Sequence, residues 1–337
     1  MNNRQKNYIY LSFVALLMVI AVLVYYSHNS HEDTIIEEAK IDSTALTIAV
    51  VPSMECLPFY VADKCGISDS LGLSLRVVPF SSSMDADTAF VNHHVDGIAS
   101  DMVKLSIYQS NGDSVTGIIG GNWDLSLITS RQSRISDIKG LKEKVISSTR
   151  NSVLDLFNDK IISSNPKDTL VINTPQINSL NIRYNMVRQN QVDGGILPEP
   201  YSSLCLSKGC HLIIKSKDIQ EMSGMFVLIF NDSVISHKED EIKKLIKVYN
   251  ASVDFINYHK KDYHKRFMSL FDININIPDS IVEIPKFAYA SAPSDTALNT
   301  AHQWASGRKL LGKKTKSNII NKDYVLFSDS IFNRVNQ

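Results

Sequence analysis

Short apolar runs alternate with amphipathic stretches from residue 46 onward, and few folds accommodate such a pattern. The apolar runs predict buried strands at 46–52, 74–80, 95–100 and 114–120, with helices in the segments between them. Parallel strands need a helical crossover, so the pattern predicts a mostly parallel sheet with helices on both faces.

The same pattern starts again in the second half of the chain. Further strands are predicted at 144–148, 169–174, 194–197, 211–215 and 225–230, and helices at 152–162, 176–190, 199–208 and 236–259. The two halves share a short similar sequence, which is HVDGI at 94–98 and QVDGG at 191–195. Segments that contain Gly, at 120–123 and 222–225, connect the halves, as a hinged pair of lobes requires. We therefore predict an α/β fold of two similar lobes.

The charge balance excludes two broad classes of protein. Lys and Arg total 35 of the 337 residues and Asp and Glu also total 35, so the formal net charge is zero. Nucleic-acid binders usually carry a basic excess, which is absent from this composition. Hydrophobic residues make up 44% of the chain, which is enough apolar area to exclude disorder as the main state.

An uncharged apolar run occupies residues 9–26 (IYLSFVALLMVIAVLVYY). A helix of this length spans about 27 Å, close to the thickness of the hydrocarbon core of a membrane. Arg4 and Lys6 precede the run, so residues 1–8 should stay cytoplasmic and the rest should be exported, to the periplasmic or extracellular side. No small-x-small site follows, so we expect an uncleaved inner-membrane anchor rather than a signal peptide, with 27–45 as a linker.

The chain has four cysteines, which are Cys56, Cys65, Cys205 and Cys210. None forms a CxxC pair or a cluster with zinc-site spacing, so we expect no metal site. In an exported protein, Cys205 and Cys210 could close a short loop, whereas Cys56 and Cys65 flank a predicted helix and are too far apart to bond. Buried free thiols are an equal alternative for all four.

Five segments occur in an order that is similar to one known family. They are 57–67 (LPFYVADKCGI), 79–83 (PFSSS), 95–101 (VDGIASD), 192–201 (VDGGILPEPY) and a late region with Ile284, Pro285, Trp304 and 307–311. In these segments the chain resembles the solute-binding proteins of ABC importers, in the group that binds nitrate, taurine, alkanesulfonates and thiamine precursors. The resemblance covers residues 46–312.

The resemblance implies a type II periplasmic-binding-protein fold, with two Rossmann-like lobes joined by a two-strand hinge. The first lobe would comprise 46–121 and 226–312, the second lobe 122–225, and a C-terminal extension 313–337. The implied function is capture of a small organic solute between the lobes and its delivery to ABC permease and ATPase subunits. The predicted anchor departs from the family pattern, whose members are mostly lipoproteins or soluble periplasmic proteins.

Candidate ligand-binding residues follow from the position of the strand ends. Ligands of open α/β sheets bind beyond the carboxyl ends of the strands, and the resemblance implies the same cleft. The candidates are Ser53, Met54, Glu55, Tyr60, Ser81, Ser82, Ser83, Asp101, Trp123, Thr149, Arg150, Asn151, Ser152, Glu199 and Tyr201.

Each group of candidates has a structural alternative. The serines and Asp101 are also typical helix caps, the three aromatic residues are also typical core residues, and Arg150 is also typical of a surface. Glu55, Asp101 and Glu199 outnumber Arg150, which favours an amino-bearing heterocycle such as a thiamine-precursor pyrimidine. A sulfonate or another small organic solute stays open.

No catalytic motif is present in the sequence. There is no GxSxG, no glycine-rich phosphate loop and no HExxH. We therefore expect a binding protein without a cofactor and without enzyme activity. Two alternatives remain, which are a membrane-anchored ligand sensor and an enzyme similar to the thiamine-precursor synthases that share this fold.

Overall fold

Two β-sheets form the framework of the protein, in a computed structural model that describes residues 45–164, 170–273, 277–278, 280–313, 320–321 and 323–324. The predicted anchor at 9–26, the N-terminus at 1–8 and the linker up to residue 44 lie outside the described residues. Within the described ranges, no helix is both long and apolar enough to cross a membrane.

The strands divide into a five-stranded and a four-stranded sheet. In chain order the described strands are β1 (Leu46–Val50), β2 (Leu75–Pro79), β3 (Gly97–Asp101), β4 (Val115–Gly121), β5 (Leu125–Thr129), β6 (Ile146–Ser147), β7 (Gly194–Pro198), β8 (His211–Lys215) and β9 (Phe226–Asn231). The spatial order is β2-β1-β3-β9-β4 in the first sheet and β6-β7-β5-β8 in the second.

Helices connect the strands and cover the sheets. The described α-helices are α1 (Leu57–Lys64), α2 (Ile67–Ser70), α3 (Ser83–Val91), α4 (Met102–Asn111), α5 (Val153–Ser163), α6 (Leu180–Arg188), α7 (Tyr201–Ser207), α8 (Asp232–His237), α9 (Glu239–His259), α10 (His264–Ser269) and α11 (Asp295–Gly307). In the first sheet's layer, α9 packs along α1 and α11 packs along α4. We call the first sheet with α1–α4 and α8–α11 the first lobe, and the second sheet with α5–α7 the second lobe.

The α/β class is confirmed, but the sheets are mixed rather than mostly parallel. β1 is parallel to β2 and β3, whereas β9 is antiparallel to β3 and β4. The chain reaches β9 on its return from the second lobe and therefore enters the first sheet from the opposite end. In the second sheet, β5 follows the crossing directly and runs antiparallel to β7 and β8.

Three predicted elements differ from the structure. The strand predicted at 169–174 is wrong, because the described part makes only isolated bridges such as Val145 to Asn173, beside a partner strand of two residues. The helix predicted at 176–190 begins at Leu180, where the Ser179 hydroxyl accepts the N–H of Ile182. The helix predicted at 236–259 is divided into α8 and α9 at Lys238.

The repeated VDG sequence, at 95–97 and 192–194, has the same structural role in both lobes. Asp96 Oδ2 accepts the N–H of Thr47 at 2.8 Å, and Asp193 Oδ2 accepts the N–H of Val145 at 2.9 Å. Each carboxylate thus ties the start of its own strand to the neighbouring parallel strand. The glycine that follows lies where a Cβ would be 2.6 Å from another atom, the Phe230 ring at Gly97 and the Ile128 carbonyl oxygen at Gly194.

Two short crossings join the sheets. Residues 122–124 connect β4 to β5, and residues 216–225 connect β8 to β9. The Asn122 Oδ1 atom accepts the N–H of Gly224 at 2.8 Å, so the crossings are hydrogen-bonded to each other. The carboxyl ends of β1, β3 and β7 meet beside these crossings, which is where ligands bind in open α/β sheets.

The described part of the C-terminal extension covers an edge of the first sheet. Ile320 forms a parallel bridge to Gly117 in the edge strand β4, and the N–H of Asn321 donates to the Gly117 carbonyl at 3.1 Å. Unpaired edges can recruit strands from other molecules, and this contact occupies one position of the β4 edge.

Candidate ligand-binding cleft

Two openings lie between the lobes. The inner cavity has a volume of about 40 Å³ and is lined, among others, by Asp101, Lys104, Trp123, Thr149, Ser152 and Arg183. The hinge groove has a volume of about 810 Å³ and is lined, among others, by Glu55, Asn122, Asp124, Glu199, Lys215 and Gly224. Both openings are lined by candidate residues predicted from the sequence. The polar groups that line each opening indicate which of the two is the better ligand site.

The inner cavity contains hydrogen-bond donors that have no partner. Among the described residues, nothing accepts from Arg183 Nε, Trp123 Nε1 or Thr149 Oγ1, and all three atoms are buried. Leaving a buried polar group unpaired costs about 1–3 kcal/mol, so three of them at one cavity need an explanation. A ligand with acceptor atoms is one such explanation, because all three residues line this cavity.

Arg183 is the most unusual of these residues. The residue is 1% exposed, and the only hydrogen bond that its side chain makes to the described residues runs from Nη1 to the Ile196 carbonyl at 2.9 Å. No carboxylate forms an ion pair with it in the described part of the chain. Burial lowers the pKa of this guanidinium to about 10, which leaves it charged at neutral pH. An isolated buried cation is costly, and an anionic ligand would offset that cost.

The position of Arg183 follows from the helix that carries it. α6 buries Leu180, Arg183, Tyr184 and Val187, which are spaced as the apolar stripe of an amphipathic helix. Arg183 therefore occupies a core position by its spacing. That anomaly is visible in the sequence and would have identified a residue that our sequence analysis missed.

The carboxylates beside the inner cavity already have partners. Asp101 Oδ1 caps α4 by accepting the N–H groups of Val103 at 2.9 Å and Lys104 at 3.0 Å. Burial raises the pKa of Asp101 to about 6, while its backbone donors, including Val153 in the second lobe, oppose that rise. Asp87 Oδ2 lies 2.6 Å from Lys104 Nζ. The polar groups without a partner at this cavity are therefore donors, and a ligand would have to offer acceptor atoms to bond them.

The start of α5 contributes to the same wall. Ser152 lines the cavity and caps α5, because its Oγ accepts the N–H of Leu154 at 3.2 Å and donates to the Thr149 carbonyl at 2.8 Å. The N-terminus of a helix carries partial positive charge. The N-terminus of α5 therefore favours an anionic ligand, as Arg183 does.

The hinge groove has a different character. Glu55 Oε1 accepts the N–H of Asp124 at 2.9 Å, and Glu199 Oε2 accepts the N–H of Ser203 at 3.2 Å. Met54 also lines this groove. Burial raises the pKa of Glu55 from 4.5 to about 8, with a smaller contribution from the nearby Asp124 carboxylate. Both acidic groups and lysines line the groove, so it does not favour ligands of one charge.

We expect Glu55→Gln to stabilise the protein at alkaline pH and to leave it unchanged near pH 4. A carboxyl whose pKa is raised on folding contributes its stability below the unfolded pKa, and that contribution is lost as the pH rises towards 8. Gln keeps the acceptor for Asp124 but does not ionise. The unfolding free energy at pH 9, measured by urea denaturation, should rise by about 2 kcal/mol after allowance for partial exposure.

Glu283→Gln is the matched control, since Glu283 is an exposed carboxylate in the same groove. It should leave the pH dependence of unfolding as in the parent chain. Equal pH profiles for the parent chain and Glu55→Gln would contradict the burial argument.

Several predicted candidates line neither opening. Tyr60 and Tyr201 are core residues, packed against Phe271 and Tyr184 at ring distances of 5.4 and 5.7 Å. Ser53 is buried beside Cys56, and Ser82 caps α3. The other three members of this group are exposed, and they are Ser81, Arg150 and Asn151, the last with φ 53°. Ser83 does line the inner cavity.

The two lobes touch each other around the inner cavity. Ser82 and Ser179 form an antiparallel bridge, and the N–H of Leu180 donates to the Ser81 carbonyl at 3.2 Å. On the α11 side, Arg308 forms a two-point ion pair with Asp159 of α5, at 2.8 and 2.5 Å. The cavity is therefore enclosed by direct contacts from both lobes.

Solved structures of known proteins share this architecture. A ligand-binding component of an ABC-type import system from Staphylococcus aureus, with zinc bound, matches with a TM-score of 0.67 and 10% identity over 83% of this chain and 97% of that chain. The alkanesulfonate-binding protein SsuA from Xanthomonas axonopodis pv. citri, bound to MOPS, matches with a TM-score of 0.65 and 14% identity over 81% and 96%. The fold is that of the periplasmic binding proteins. The periplasmic nitrate-binding protein NrtA from Synechocystis PCC 6803 shares it, with a TM-score of 0.60 and 9% identity over 76% and 75%.

The predicted resemblance to ABC-importer solute-binding proteins is thereby confirmed at the level of the periplasmic-binding fold. No protein-family model matches the chain, and no curated protein is significantly similar to it in sequence. Among the described residues, no group of three His, Cys, Asp or Glu side chains is arranged to hold a metal ion. The class of ligand that the cleft prefers therefore follows from its own side chains.

Proposed function

We propose that the chain is the extracytoplasmic solute-binding component of an ABC importer, tethered by the segment 9–26. It would capture a small solute in the inner cavity and deliver it to the permease and ATPase subunits. The periplasmic-binding fold supports this role, and so does a cavity enclosed by both lobes. The observation that carries the proposal is the set of three buried, unpartnered donors at that cavity.

We further propose that the solute is a small anion with several acceptor oxygens, such as a sulfonate. Arg183 would supply the charge, and Trp123 and Thr149 would supply directed hydrogen bonds. An amino-bearing pyrimidine fits less well, because Asp101 and Asp87 already accept from protein donors and Glu55 and Glu199 line the other opening.

Capture requires the lobes to separate and close again. A cavity of about 40 Å³ has room for about three water molecules, so a solute enters only if the lobes move apart. The crossings at 122–124 and 216–225 would act as the hinge, and the Arg308 to Asp159 ion pair would break on opening. A solute that contacts both lobes then favours the closed form by its differential affinity.

The first test is a thermal-unfolding screen of the full chain against matched groups of solutes. Alkanesulfonates, taurine, nitrate and small carboxylates form one group, and aminopyrimidines and thiamine form the other. A ligand of the folded state at about 100 times its Kd stabilises by about 2.7 kcal/mol, which gives a clear rise in Tm. We expect such a rise only within the anion group. Stabilisation by aminopyrimidines alone would refute the anion proposal, and no stabilisation of a folded sample by any solute would refute solute capture.

A further inference from the structure

The C-terminus of α7 brings two cysteines together. The N–H of Cys210 donates to the Cys205 carbonyl at 3.2 Å, and the N–H of Gly209 donates to the Leu206 carbonyl at 3.0 Å. With Gly209 at φ +84°, these bonds form the Schellman motif that ends many helices. In that motif the side chains of the two outer residues approach each other, and here both outer residues are cysteines.

The two cysteines are held close by this backbone bond, and they differ in exposure. Both are free in this structure, and Cys205 is fully buried while Cys210 is 7% exposed. The proximity of the two thiols raises the pKa of Cys205 and lowers the pKa of Cys210, and burial raises the pKa of Cys205 further. Arg188 also favours the Cys210 thiolate. Cys210 is thus the better nucleophile of the pair, and Cys205 is placed to follow it.

Cys56 and Cys65 provide a comparison within the same chain. They lie at the two ends of α1, which has eight residues and is therefore about 12 Å long. Sulfurs at such positions cannot bond, because disulfides need Cα atoms within about 7 Å. In contrast, the backbone hydrogen bond from Cys210 to Cys205 holds the α7 pair close together.

We propose that Cys205 and Cys210 form an intrachain disulfide by exchange with an external disulfide. The Cys210 thiolate attacks one sulfur of an oxidant R–S–S–R and expels R–S⁻, leaving a mixed disulfide. Cys205 then loses its proton, and its sulfur displaces the second R–S⁻ from Cys210. Two protein thiols are oxidised to one disulfide, and the oxidant is reduced to two R–SH. An extracytoplasmic location, as proposed above, would supply such oxidants.

Trypsin offers a direct readout, because it cleaves after Lys208 and so separates the two cysteines. The full chain is equilibrated with excess oxidised glutathione, quenched in acid, alkylated without reduction and digested. We expect peptides 189–208 and 209–215 to be recovered as one linked species, about 2 Da lighter than their sum. Peptides with Cys56 and Cys65 should be alkylated, which makes them the internal control. Recovery of both α7-region peptides in alkylated form would overturn the proposal.

Two single variants test the order of the steps. Cys205→Ser removes the second thiol, so Cys210 should accumulate a mixed disulfide with glutathione. Cys210→Ser leaves only the fully buried thiol, which should stay unmodified until the protein is denatured. The opposite pattern would overturn the assignment of Cys210 as the attacking thiol. Neither result depends on which solute the inner cavity holds.

Discussion

Replacing Arg183 with Met is expected to lower the affinity for an anionic solute by about 100-fold or more, without loss of stability. Removing one partner of a buried charge pair costs about 2–5 kcal/mol of binding free energy. In the empty protein, Met fills a similar volume and removes a desolvated cation that lacks an acidic partner in the described part of the chain. The single bond to the Ile196 carbonyl is lost, at a cost of about 1 kcal/mol. The Tm should therefore stay level or rise.

Arg188→Met is the matched control for this experiment. Arg188 lies on the same helix, is exposed, and lies over the Tyr184 ring at 5.9 Å. Isothermal titration of both variants with the solute found in the screen, together with thermal unfolding, separates binding from folding. Retention of solute affinity within about threefold in Arg183→Met would remove the main support for the anion site.

Replacing Gly194 with Ala is expected to destabilise the fold by about 3 kcal/mol or more. A Cβ at this position would be 2.6 Å from the Ile128 carbonyl oxygen and 3.2 Å from the Thr129 Cα, both of which belong to the backbone of β5. Backbone atoms in a paired strand cannot move without disturbing the pairing of β5 with β7, so overpacking here is costly. Thermal unfolding should show a Tm lower by about 6 °C or more.

Gly307→Ala controls for the change from Gly to Ala itself. Gly307 is the exposed last residue of α11, and a Cβ there would have no atom within 4 Å. Ala is favoured over Gly in helices by about 0.5–1 kcal/mol, so this variant should be neutral or slightly more stable. A similar Tm for Gly194→Ala and Gly307→Ala would show that the second VDG glycine is not required by close packing.

The hydrophobic pattern predicted strands wherever the chain alternates strand and helix. β1, β2, β3 and β7 lie within or beside their predicted ranges, because burial on both faces gives a continuous apolar run. β5 was missed, since it follows the crossing without a preceding helix and so interrupts the rhythm. The strand predicted at 169–174 has suitable residues, but its neighbour β6 is too short to form a ladder with it.

Candidate site residues were predicted less evenly than strands. The rule of strand ends selected Ser83, Asp101, Trp123, Thr149 and Ser152, all of which line the inner cavity. It could not select Arg183, which lies inside a helix rather than after a strand. It also could not distinguish Tyr60 and Tyr201 as core residues, because aromatic side chains are typical of cores and clefts alike.

The sequence by itself determined the α/β class, the two similar halves and the short crossings between them. These features depend on local periodicity and on Gly and Asp at fixed spacings, which can be read along the chain. Only the tertiary structure decided which polar groups lack a partner. Arg183 Nη1 donates to a carbonyl in β7, whereas Arg183 Nε and Trp123 Nε1 have no acceptor among the described residues. The preference of the cleft for a class of ligand depends on which polar groups are unpartnered. The sequence does not show this, because hydrogen-bond partners come from segments that are distant in sequence and adjacent only after folding.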